Sequence, residues 1–131
     1  EAVGVPVLTG RVDIANARLR FASGCIANLT ASRISRERVR KARFFQKSSY
    51  VSIDYAAQEV EAYRLLPAEG RPAIQGGSLT VVNAEPLQLE LEDFVAAVRD
   101  GRPARVTGQD GRAALALATR VGEAIDAYAR D

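Results

Sequence analysis

The stretch "VDIANARLRFASGCIANLTAS", residues 12–32, decides the fold. Its first run alternates. Ala15, Ala17, Leu19 and Phe21 fall on one face, and Ile14, Asn16, Arg18 and Arg20 on the other. "ASG" then turns the chain, with Gly24 free to take positive φ. The second run alternates again, with Cys25, Ala27, Leu29 and Ala31 against Ile26, Asn28, Thr30 and Ser32. Two period-two runs around a short glycine-containing turn predict a β-hairpin. One face is small and apolar, suited to helices packing on it. The other mixes Asn, Thr and Ser with isoleucine. A face meant only for water would hold more Lys and Glu, so this side reads as a contact surface.

Outward from the hairpin, further strands are predicted at 38–47, 49–55 and 58–66, where "YVSIDY" and "VEAYRLL" supply β-branched and aromatic residues. Short connections between them predict antiparallel pairing. Residues 67–77, "PAEGRPAIQGG", read as a loop, and "SLTVVN" as one more strand. The period then changes. Leu87, Leu91, Phe94, Val95 and Val98 form one helical stripe, opened by Pro86 and closed by Gly101 and Pro103. A second helix opens at "TGQD", where Thr107 and Asp110 have capping-box spacing. Its stripe is Ala114, Leu117, Ala118, Val121, Ile125 and Tyr128. Strands first and helices later predict an α+β fold: a mainly antiparallel, open-faced sheet with helices packed on one face.

At 131 residues, 47% apolar and 26% charged, the chain predicts one globular domain. It begins without Met and enters strand-like sequence at once, so we expect a piece of a longer chain. No apolar run is long enough for a membrane-spanning helix, and no signal-peptide pattern opens the sequence. The single cysteine, Cys25, cannot build a disulfide framework; a cytoplasmic protein is expected.

Chemistry is hard to find. With no histidine there is no Ser-His or Cys-His pair and no His metal site. Cys25 reads as structural, and Asp54, Glu59 and Glu61 as solvated carboxylates. The glycines Gly108 and Gly111 lack the Lys-Ser/Thr end of a phosphate loop. We therefore assign no catalytic, cofactor-binding or metal residue. Asn28, Thr30 and Ser32, ending in Arg33, are the candidates nearest a substrate, because an arginine forks onto phosphate or carboxylate. Ile14, Asn16, Ile26 and Phe44 are the candidates for a dimer face. Residues 33–47 hold seven basic side chains and one acid, Glu37. That leaves a second class open, a stand-alone binding or assembly module acting on a polyanion.

The helical pair resembles the C-terminal signature of the Gfo/Idh/MocA oxidoreductases. The matching residues are Glu85-Pro86-Leu87, Phe94, Val98-Arg99, Gly101-Arg102-Pro103, Val106-Thr107-Gly108, Gly111 and Ala114-Leu115. The hairpin is similar to that family's sheet hairpin, closest to members acting on nucleotide sugars. The resemblance implies a two-domain oxidoreductase that uses NAD or NADP on a sugar, nucleotide sugar or polyol. The cofactor would belong to a Rossmann domain absent from this chain. A Glu-Lys-Pro lysine and a helix-borne histidine and aspartate would also lie there. Neither Lys41 nor Lys47 has the lysine's neighbours. The fragment alone is expected to be inactive, and to form at least a homodimer through the open sheet face. Neither nucleic acid nor membrane is an expected partner.

Overall fold

A computed structural model describes residues 1–68 and 71–129. It contains β1 (Ala2–Val5), β2 (Ile14–Arg20), β3 (Ile26–Ser32), β4 (Lys41–Gln46), β5 (Ser49–Asp54), β6 (Glu59–Leu66), β7 (Ala73–Leu79), α1 (Pro86–Asp100) and α2 (Gly108–Tyr128). All strand pairs are antiparallel. The predicted α+β class is therefore what the chain adopts. The strands form two sheets rather than one: β1-β2-β3 and β4-β5-β6-β7. They belong to two compact units, Glu1–Arg36 with Leu91 onward, and Glu37–Glu90.

In the first unit the hairpin pairs as its alternation predicts, with Ala15 opposite Ala31, Ala17 opposite Leu29 and Leu19 opposite Ala27. Small residues on β1 and β2 let α2 lie close. Ala2, Ala17 and Ile125 form the buried cluster, with Ala15 and Val121 against it. Gly4 is required by the same approach. A Cβ there would sit 2.7 Å from Ile125 Cγ2 and 2.7 Å from Val12 Cγ1. Helix α2 opens with the predicted capping box. The Thr107 hydroxyl accepts from the Asp110 amide, and the Asp110 side chain accepts from the Thr107 amide.

Helix α1 departs from expectation. Its stripe does not pack on the sheet: Leu87, Leu91, Phe94, Val95 and Val98 are all exposed, and Ala97 is its buried residue. Amphipathicity specifies which side of a helix wants cover, not what supplies it. Nor is the β3 part of the hairpin's apolar face covered, since Leu29 and Ala31 on β3 and Cys25 just before it are exposed.

The second unit is a four-stranded meander. On one face Phe45, Tyr50 and Tyr63 form a cross-strand row, with ring centroids 4.9 Å and then 6.2 Å apart. Tyr63 sits opposite Gly76 on β7, where a Cβ would strike the Ala62 carbonyl oxygen and approach Tyr63 Cα to 2.6 Å. The glycines of "AIQGGSL" thus belong to a strand, where the sequence reads as loop up to residue 77. Residues 69 and 70 of that predicted loop lie outside the described residues. The strand ends at Leu79, so "TVVN" is not part of it. The opposite face holds Ala42, Phe44, Val51, Ile53, Val60 and Ala62. Ile53 and Val60 also line a cavity of about 260 Å³ with Val81, Val82, Ala84, Pro86 and Leu89. Gln58, at positive φ in the β5–β6 turn, clasps this segment. Its Nε2 donates to the Ala84 carbonyl at 2.9 Å, and its Oε1 accepts from the Ala84 amide at 3.0 Å.

Candidate functional site, the open face of the three-stranded sheet

The strand register sets the site. On the side of β2 away from Ala17, Ile14 stands opposite Ser32, Asn16 opposite Thr30, Arg18 opposite Asn28 and Arg20 opposite Ile26. The substrate-proximal candidates Asn28, Thr30 and Ser32 therefore share one checkerboard with the dimer-face candidates Ile14, Asn16 and Ile26. The fourth dimer-face candidate, Phe44, lies in the other sheet and the other unit. The two sequence-derived sets claim the same surface, as the alternation of the hairpin strands already implied.

A shallow depression of about 280 Å³ opens on this face, lined by Glu1, Val3, Asn16, Arg18, Asn28 and Thr30 with the backbone beneath. The Thr30 hydroxyl donates to Asn16 Oδ1 at 2.8 Å. This fixes the Asn16 amide so that its NH2 group points away from that bond, because a bonded carbonyl oxygen defines the planar amide's other end. Arg18 makes no ion pair among the described residues. Ser32, at the strand end, is turned to local duty. Its hydroxyl oxygen accepts from the Ile34 amide, the Ser35 amide and the Ser35 hydroxyl.

Arg33 is held elsewhere. Its Nε donates to Asp13 Oδ1 at 2.7 Å and one Nη to Thr9 Oγ1 at 2.6 Å. Asp13 is the buried hub of that network. Its Oδ2 accepts from the amides of Val7, Leu8 and Thr9 at 2.9, 2.7 and 2.8 Å. Burial works against the Asp13 charge, but the Val7, Thr9 and Leu8 amides and the Thr9 hydroxyl outweigh it and hold the carboxyl well below the usual carboxylate range. The network folds the β1–β2 connection back on itself. Sequence reading missed Asp13; an acid at an otherwise apolar-flanked strand entry was the available signal.

The depression offers amide and guanidinium donors with hydroxyl and amide acceptors. Among the described residues no group of three metal-ligating side chains converges, and no helix is long and apolar enough to cross a membrane.

The first unit is thus an open antiparallel sheet covered on one side by a capped helix and polar on the other. The chain is homologous to the C-terminal part of a Gfo/Idh/MocA-family dehydrogenase. The relative is UDP-N-acetylglucosamine 3-dehydrogenase of Acidithiobacillus ferrooxidans, 33% identical over 130 residues, which is 98% of this chain and 42% of the relative. Two solved structures of that dehydrogenase, GnnA, superpose on 97% of the chain at 33% identity. Their TM-scores are 0.86 and 0.83, over 40% and 39% of their own chains. This chain thus spans about two-fifths of the relative's length. No protein-family model matches it.

Proposed function

We propose that the chain is the substrate-side and subunit-contact domain of an NAD(P)-dependent dehydrogenase that oxidises a hydroxyl carbon of a nucleotide sugar, UDP-N-acetylglucosamine being the first candidate. The observation that carries this is likeness along nearly the whole chain, at 33% identity and a TM-score of 0.86, to an enzyme named for that reaction. The open face supports it with neutral hydrogen-bonding groups of the kind sugar hydroxyls need.

The opening of α2 does not suit the phosphates of a dinucleotide. The helix start with two nearby glycines is the opening of α2, and there the Asp110 carboxylate already accepts from the Thr107 amide and hydroxyl. A phosphate would meet that negative charge where it needs free amides. The cofactor and the proton-transfer groups are accordingly assigned to a preceding Rossmann domain, and the reading places the enzyme in the cytoplasm. This chain's contribution is to bind and orient. Asn16, Asn28 and Thr30 face the ligand, while Asp13 and Arg33 hold the backbone that presents them.

The test compares residues 1–131 with a longer protein that includes the upstream coding sequence. The longer protein should reduce NAD or NADP with UDP-N-acetylglucosamine, and residues 1–131 should neither do so nor bind NADH by calorimetry. Turnover or micromolar NADH binding by residues 1–131 alone would falsify the domain assignment. A longer protein inert toward every nucleotide sugar would remove the substrate class.

A further inference from the structure

We infer that Arg18 is the anion-holding residue of the open face, receiving a diphosphate with the Asn16 and Asn28 amides beside it. The inference rests on the nucleotide-sugar reading for the identity of the ligand, and on the geometry for the residue. Sequence alone favours Arg33, but Arg33 has committed Nε to Asp13 and one Nη to Thr9. Arg18 lines the depression, is exposed, and forms no ion pair among the described residues.

Its neighbours decide the chemistry. Asn16 uses its oxygen on Thr30 and so presents donors. Asn28 stands directly opposite Arg18 in the register. Arg20 follows on the same face, roughly 6.5 Å further along the strand. Against these stands one acid, Glu1, whose backbone pairs with that of Arg18. Donors outnumber acceptors and positive charge outweighs negative, so the surface selects an acceptor-rich anion. A guanidinium fork matches phosphate oxygens in a plane, which a neutral sugar ring does not require. A nucleoside diphosphate sugar supplies both parts, with its diphosphate on Arg18 and its hydroxyls on the amides and Thr30.

The experiment titrates UDP into residues 1–131 at low salt, followed by calorimetry, with circular dichroism checking each variant's fold. Arg18→Ala should weaken binding by roughly tenfold or more, the loss expected for a charged hydrogen-bonding pair. Arg18→Lys should recover part of it, since charge remains and the fork is lost. Arg64→Ala, an exposed arginine of the other unit, should bind as the parent does. A parent chain that does not bind UDP overturns the inference, as does an Arg18→Ala variant that binds equally well. An Arg64→Ala loss as large as that of Arg18→Ala overturns it too, by making the attraction nonspecific. Failure of the functional reading looks different. The longer protein would then act on no nucleotide sugar, while Arg18→Ala still weakened UDP binding by this chain.

Discussion

Asp13 shows what a single buried carboxylate organises. Three consecutive amides, a threonine hydroxyl and Arg33 all converge on it. Its depressed pKa makes a signed prediction. A group whose folded pKa lies below its unfolded value stabilises the fold above the unfolded value, and that stability drains away as pH falls toward the folded one. The contribution of Asp13 is thus complete above about pH 4 and lost on further acidification. Asp54, Asp93 and Asp110 are lowered as well and act with the same sign. The urea midpoint of the parent chain should therefore fall steeply below that pH. Asp13→Asn should start lower at neutral pH and show a shallower acid limb. Equal slopes for the two would mean that the carboxylate's ionisation is not linked to folding. The same network engages Arg33 in a way that sequence reading did not anticipate. An arginine at a strand end looks free in one dimension, and its partner lies twenty residues away.

The elements divide by how local their determinants are. Hairpin β2–β3, the strands β4–β6 and both helices were legible, because alternation, a 3.6-residue stripe, Pro86, Gly101 and the Thr107–Asp110 box each act within a few residues. Strand β7 was not, because its glycines read as punctuation, whereas Gly76 is demanded by backbone proximity to Ala62 and Tyr63. The division into two sheets was not legible either, since strand alternation carries no information on which strands share a sheet. Tight approach of α2 to β1 depends on Gly4 in the same non-local way. Gly4→Ala places a methyl 2.7 Å from Ile125 Cγ2, and the unit must expand or shift its helix. We expect a loss of about 1–3 kcal/mol, as for other overpacked sites, measured by urea unfolding. Gly10→Ala, where an added Cβ meets nothing within 4 Å, is the matched control and should change stability far less.

At the scale of the molecule the unanswered demand is cover for apolar surface. Phe44, Leu79 and the α1 stripe are each more than half exposed. Patches of this kind mark contact with another protein surface rather than with water. The family resemblance was legible from motifs spread along the chain. The contact surfaces were only half so, because a stripe or a strand face shows where apolar residues point and not what meets them. The checkerboard of Asn16, Arg18, Asn28 and Thr30 suits a polar ligand. The Phe44–Val51–Ala62 row of the four-stranded sheet has no charged side chain and suits self-association. We propose that two copies pair isologously through that row. Symmetric pairing lets each copy's Phe44 find apolar partners on the other. A carboxylate at that position would be buried without a partner. Phe44→Glu should therefore convert a dimer of residues 1–131 into a folded monomer in sedimentation velocity at micromolar concentration. Ile26→Glu should leave the dimer intact. Dissociation by Ile26→Glu but not by Phe44→Glu would move the interface to the three-stranded sheet, and a monomeric parent chain would sink self-association through either face.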